Sequence, residues 1–129
     1  PTLTHDKKRL NALELVPFKK AIQKNIPAIM TAHIVIKAYD PSHPATLSKK
    51  VMRELLRDTL GYNGILITDL LSMHAIKDHY SVKETILLSV NAGHDILLYD
   101  APTGTSHSWI PLKHLSIQGP YPWTGLMSP

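Results

Sequence analysis

Asp69 stands just beyond a short apolar run, Ile65-Leu66-Ile67, separated from it only by Thr68. A wholly apolar run of this length reads as a strand buried on both faces, the kind found in parallel sheets and barrels. A carboxylate at the C-terminal end of such a strand sits where α/β folds carry out their reactions. Aspartate also caps helices, so position alone leaves both roles open for Asp69. Two other aspartates invite the same question. Asp40 lies in a loop after an earlier strand, and its neighbour Pro41 favours a turn role. Asp95 opens a later strand, the end of a barrel that carries stability rather than catalysis. Glycoside hydrolysis needs a nucleophile or base and a separate acid, held about 5 to 9 Å apart across the sugar. Asp69 is placed for the first role.

Other chemistries lack their parts. Gly61 and Gly64 precede the strand, whereas a dinucleotide or phosphate loop follows one. No Gly-x-Ser-x-Gly turn offers a serine nucleophile. Eight histidines suggest a metal, yet His74 and His79 are five apart and point to different helix faces. Without a matching ligand set, neither a metal nor a cofactor is expected. His33, near the end of a strand, reads by itself as a packed polar residue. The absence of cysteine excludes disulfides and thiol chemistry.

The elements that would position Asp69 are legible in order. Leu10, Leu13, Val16, Phe18, Ala21 and Ile22 carry a helical pattern that Pro17 interrupts, so a kink or a second helix is expected there. Pro27 to Ile36 holds the first strand, centred on residues 28 to 32. After a proline-rich loop, Ser48 opens a helix with Val51, Met52, Leu55, Leu56 and Leu60 on one buried face. Gly61 closes it as a left-handed cap. Lys49, Lys50, Arg53, Glu54, Arg57 and Asp58 are read as its outward side. Ser81 and Glu84 form a capping box for a helix ending at Gly93, and residues 94 to 99 form the third strand. Strands separated by helices imply right-handed β-α-β units and a parallel sheet.

Composition sets the outer bounds. The 129 residues are 43% hydrophobic and 19% charged, suiting one small domain but not a complete α/β barrel of about 250 residues. The net charge of +4 comes from lysines scattered among acids, with no basic tract interleaved with aromatics, so nucleic acid is not an expected partner. No apolar stretch approaches the roughly 20 residues of a membrane span. The first residues lack an export signal; any such signal lies upstream, and the compartment stays open. Residues 101–129 differ in character: one charge, Lys113, five of the ten prolines and both tryptophans. No helical or alternating pattern is visible there. Wrapping of the sheet edge, disorder and a foreign end all remain open for this tail.

The ordered blocks carry a resemblance. Glu14-Leu-Val-Pro-Phe-Lys-Lys-Ala-Ile22, Pro27-Ala-Ile-Met-Thr-Ala-His33 and Asp40-Pro-Ser-His-Pro-Ala-Thr-Leu-Ser48 are followed by Leu60-Gly-Tyr-Asn-Gly-Ile-Leu-Ile-Thr-Asp69, Leu71-Ser-Met73 and Ala92-Gly-His-Asp-Ile-Leu-Leu98. Together they resemble glycoside hydrolase family three, in its bacterial β-N-acetylhexosaminidase branch. The resemblance covers residues 1–100 and implies a partial (β/α)8 barrel of about three parallel strands alternating with helices, plus the irregular tail. It implies retaining hydrolysis of terminal β-linked N-acetylglucosamine, from a glycan or muropeptide, with Asp69 as nucleophile. His33 and Met73 become candidate substrate-pocket residues, and no cofactor is implied. Leu70 departs from a second aspartate common in the motif. The family's acid/base histidine loop and the sugar-binding arginine and lysine of its first strands are not among these residues, so a truncated enzyme is expected. The alternative is a non-catalytic α/β fragment or partner-binding module, self-associating through open sheet edges.

Overall fold

The chain runs β1 (Thr2–Leu3), α1 (Lys7–Ala12), α2 (Val16–Gln23), β2 (Ala28–Thr31), β3 (Val35–Ile36), a 3-10 turn (Ala45–Leu47), a π-helix (Lys50–Thr59), β4 (Ile65–Thr68), α3 (His74–Lys77), α4 (Val82–Ala92), β5 (Ile96–Asp100) and β6 (His107–Pro111). The structure, a computed structural model, describes residues 1–100 and 107–111. β2, β4 and β5 lie side by side and parallel, with Ala28 to Thr31 of β2 in register with Ile65 to Thr68 of β4. β1 and β3 form a separate parallel pair. Each crossover in the larger sheet carries a helix, as a parallel connection requires.

Local chemistry sets the element ends. Asp6 accepts the Arg9 N–H at 2.7 Å and starts α1. Pro17 lies in the first turn of α2, where its missing N–H costs nothing, so the interrupted pattern resolves into two helices. Ser48 Oγ accepts the Val51 N–H at 3.2 Å, and Gly61 ends the segment at φ +71°. Ser81 and Glu84 exchange both bonds of the capping box, and Gly93 closes α4 at φ +105°. The Lys50–Thr59 helix is wound more widely than its periodicity suggests, its end marked by Leu60 N–H donating to the Leu55 carbonyl. Its buried face is still Val51, Met52, Leu55 and Leu56.

Helices cover one face of the sheet. Ile29 and Leu66 join Val51, Met52, Leu55, Leu56 and Ala92 in one apolar cluster. Alternation then turns Met30 and Ile65 to the other face, where both are exposed. Parallel strands with helices on one side are the arrangement expected of a barrel segment.

Two expectations change. Arg57, read as outward, reaches back to the turn before β4: it donates to the carbonyls of Tyr62 and Gly64 and to Asp95 Oδ2 at 3.0 Å. A guanidinium on a long stem reaches over a helix edge in a way that helical periodicity does not reveal. The second change lies in the tail, where no strand was expected. Residues 107–111 pair antiparallel with β5, from Ile96↔Pro111 to Asp100↔His107. Backbone hydrogen bonding to an exposed edge requires no side-chain alternation, so the pattern gave no sign of it. Residues 101–106 and 112–129, the rest of the tail, lie outside the described residues.

The two faces predict unequal costs for adjacent residues. Leu66 is wholly buried, while Ile65 is 46% exposed. Leu66→Ala should destabilise by about 3 kcal/mol, whereas Ile65→Ala should cost about 1 kcal/mol or less. Urea unfolding of both variants checks this, and equal costs would mean that the open face is covered.

Candidate active site

Asp69 directly follows β4, and its N–H continues the ladder by donating to the Thr31 carbonyl at 3.2 Å. Alternation sets it with Ile65 and Ile67, away from buried Leu66 and Thr68. One carboxylate oxygen, Oδ1, accepts the Leu70 N–H at 2.7 Å. Among the described residues no hydrogen bond reaches Oδ2. The side chain is half-buried, which leaves it accessible while its own backbone is fixed.

The turn beyond Asp69 is fastened at several points. Leu71, itself buried, donates its N–H to the Leu98 carbonyl of β5 at 2.9 Å. Ser72 Oγ hydrogen-bonds Asp100 at the end of β5. The Leu70 carbonyl accepts from Met73 N–H at 3.1 Å and from His33 Nε2 at 2.9 Å. Asp69 therefore does not cap α3, whose cap position is Met73. Met73 is 44% exposed at this same end of the sheet.

His33 is buried, and both ring nitrogens meet protein groups: Nε2 the Leu70 carbonyl, and Nδ1 the Thr46 hydroxyl at 3.0 Å. Behind it runs a buried polar chain. Thr46 Oγ1 lies 3.2 Å from Thr31 Oγ1, which lies 2.9 Å from His94 Nε2. His94 Nδ1 donates to the Ser89 carbonyl of α4 at 3.1 Å. The structure thus brings His33, Asp69 and Met73 to one turn. His33 presents no uncommitted ring nitrogen there. Sequence reading singled out neither His94 nor Thr46, because their roles depend on contacts across 63 and 13 residues of chain.

The other two aspartates weighed for the site are structural. Asp40 is buried and accepts from Ser42 N–H at 3.0 Å and Ser48 Oγ at 2.6 Å, the turn role anticipated for it. Burial pushes its carboxyl up, but these bonds, with His43 and Lys50 nearby, outweigh that and hold it below the usual range. Asp95 Oδ2 accepts the Leu66 N–H at 2.8 Å as well as Arg57, binding together the entry ends of β4 and β5. A surface groove of about 400 Å³ lies beside Asp40, Lys50 and Leu88 on the helical side, apart from Asp69. Among the described residues no group of three His, Asp or Glu could hold a metal, and no helix is long and apolar enough to cross a membrane.

Comparison with known proteins places these features in a family. Residues 1–116 match the profile of the glycosyl hydrolase family 3 N terminal domain, which extends past the 100 residues of the sequence resemblance. A beta-hexosaminidase A from Pseudoalteromonas piscicida is 38% identical over 110 residues, covering 76% of this chain and 18% of its own length. A family 3 beta-N-acetylglucosaminidase structure from Paenibacillus sp. str. FPU-7 aligns with TM-score 0.73 at 46% identity, over 75% of this chain and 19% of that one. The beta-N-acetylglucosaminidase of Thermotoga maritima aligns with TM-score 0.75 at 32% identity, over 81% and 24%. The chain thus spans about a fifth to a quarter of these relatives' lengths.

The buried chain behind the site makes stability pH-dependent. Burial pushes His94 down to about 4, against about 6.5 for an unfolded imidazole. Between these values the unfolded chain binds more protons, so stability is complete above pH 6.5 and is lost as pH falls toward 4. The loss should be on the order of 3 kcal/mol. Urea unfolding at pH 7 and pH 4 measures it, and His94→Gln should flatten the slope whatever its own stability. An unchanged slope would remove His94 from the acid response.

Proposed function

The chain belongs to glycosyl hydrolase family 3, and on that premise we propose that it carries the nucleophile end of a retaining β-N-acetylhexosaminidase site. The observation that carries the reading is Asp69: a carboxylate at the exit of β4, half-buried, with one oxygen held by the Leu70 N–H. A fixed carboxylate on the side away from the helices suits attack on a sugar carbon. The relatives named beta-hexosaminidase and beta-N-acetylglucosaminidase support terminal β-linked N-acetylglucosamine, in a glycan or muropeptide, as the substrate.

In this reading an Asp69 oxygen attacks the anomeric carbon. The bond from that carbon to the leaving oxygen breaks, and its electron pair departs with that oxygen, which takes a proton from a separate acid. Water then attacks the same carbon, gives its proton to that group and releases the Asp69 carboxylate. Met73 is assigned to the pocket wall, where its half-exposed thioether offers an apolar contact. His33 belongs to the pocket's backing, since its ring nitrogens are already engaged. These 129 residues hold no loop of the family's acid/base type.

A polypeptide of these residues should therefore show little or no turnover of an aryl β-N-acetylglucosaminide. A 5-fluoro-N-acetylglucosaminyl fluoride needs far less acid assistance, because fluoride leaves readily. It should label the chain slowly at Asp69, and Asp69→Asn should abolish the label in peptide mass spectra. Labelling at another carboxylate, or none on folded chain, would overturn the nucleophile assignment. Steady aryl turnover lost in Asp69→Asn would overturn the claim that the acid is missing.

A specific feature favours a second reading, a module that binds a partner or a second copy. Among the described residues β2 pairs only with β4, and beside it Pro17, Phe18, Ala21, Ile26 and Met30 line an apolar groove of about 320 Å³. An unpaired edge beside apolar side chains promotes association. Sedimentation velocity across a concentration series should then detect dimers or larger species, and Phe18→Lys should reduce them. A monomer throughout would count against this reading.

A further inference from the structure

The buried chain behind Asp69 ends in a carbonyl on both sides, and that fixes where its protons lie. A carbonyl only accepts, so the Ser89 oxygen requires a proton on His94 Nδ1, and the Leu70 oxygen requires one on His33 Nε2. With both rings neutral, His94 Nε2 and His33 Nδ1 are left as acceptors, and both point inward at hydroxyls. Thr31 Oγ1 has one proton and three acceptors in reach, His94 Nε2 at 2.9 Å, Thr46 Oγ1 at 3.2 Å and the Ile67 carbonyl at 3.4 Å; the shortest contact takes it, so Thr31 donates to His94 Nε2. Thr46 Oγ1 must donate to His33 Nδ1, at 3.0 Å. Each hydroxyl has one proton, so none remains between Thr31 and Thr46, whose oxygens sit 3.2 Å apart. The two hydroxyls therefore donate in opposite directions, one to each imidazole.

We propose that His33 is the positioning residue of the Asp69 turn: its Nε2–H holds the Leu70 carbonyl, and the Thr46 hydroxyl, by donating to Nδ1, fixes the ring nitrogen that carries the proton. The Leu70 carbonyl is a point of leverage because it also receives the Met73 N–H, while Leu70 N–H grips Asp69 Oδ1. Releasing it loosens the peptide unit next to the carboxylate and the start of the turn at Met73 together. The control is geometric: a ring in the wrong tautomer would set two acceptors against each other at the Leu70 carbonyl. Two histidines of opposite tautomer follow, His33 with Nε2–H and His94 with Nδ1–H.

The functional meaning rests on Asp69 as the reacting carboxylate, but the test reads hydrogen bonding and stands apart from labelling of that residue. Long-range nitrogen–proton spectra of the whole chain at about pH 8, where exposed imidazoles are neutral, should show those two tautomers. Finding His33 protonated on Nδ1 would overturn the proposal, even if every variant failed to fold. His33→Phe keeps the bulk but removes the donor. It should speed hydrogen exchange at the Asp69 and Met73 amides several-fold, up to about tenfold, beyond any change at Leu66 in β4. His33→Gln, which can still donate to the Leu70 carbonyl, should restore most of that protection. Thr46→Val should mix the His33 tautomers and shift the Leu70 amide resonance. Exchange at Asp69 and Met73 that merely follows Leu66 in His33→Phe would reduce His33 to a packing residue and overturn the proposal.

Discussion

Alternation along β4 is the constraint on which the rest depends. Leu66 and Thr68 are fully buried toward the helical layer, so Ile65, Ile67 and then Asp69 follow the opposite side. A slip of one residue would bury the carboxylate under helices and expose the leucine. The apolar cluster of Ile29, Leu66, Val51, Met52, Leu55 and Leu56 therefore does more than stabilise the sheet. By fixing the register of β2 against β4, it also fixes the side on which Asp69 emerges.

The two ends of the sheet divide the polar work. At the entry end Arg57 and Asp95 satisfy backbone groups at the turn before β4 and the start of that strand. In that turn Gly64 has no room for a side chain: a Cβ there would come within 2.7 Å of the Pro27 carbonyl and would also strike the Tyr62 ring. At the exit end the hydrogen bonds instead fasten the turn carrying Asp69: Leu71 N–H donates to the Leu98 carbonyl, and the Leu70 carbonyl accepts from His33 and Met73. Asp95 at the entry holds a guanidinium and a strand N–H of the framework, whereas Asp69 at the exit holds only the N–H of the residue beside it. Asp95 and Asp69 differ in this respect because of the end each occupies.

Much of this was legible in the residues. The three parallel strands, the capping box at Ser81, the left-handed caps at Gly61 and Gly93, and the split at Pro17 all follow from local rules that act within a few residues. The strand at 107–111 escaped because its partner, β5, supplies backbone bonds that leave no periodic trace. Arg57 escaped for a related reason: its helix position faces outward, but its reach does not.

The sequence by itself determined the family, from blocks in register, together with the order of β2, β4, β5 and the helices between them and the carboxylate at the strand exit, which depend on motifs and spacing within single blocks. Only the tertiary structure decided what surrounds that carboxylate. Thr31, His33, Thr46, Leu70 and His94 are spread over more than sixty residues, and none marks itself as part of a network. Folding β2 against β4 and laying α4 behind them brings these groups within hydrogen-bonding distance. A hydrogen bond needs its partners about 3 Å apart, a condition that separation along the chain cannot specify.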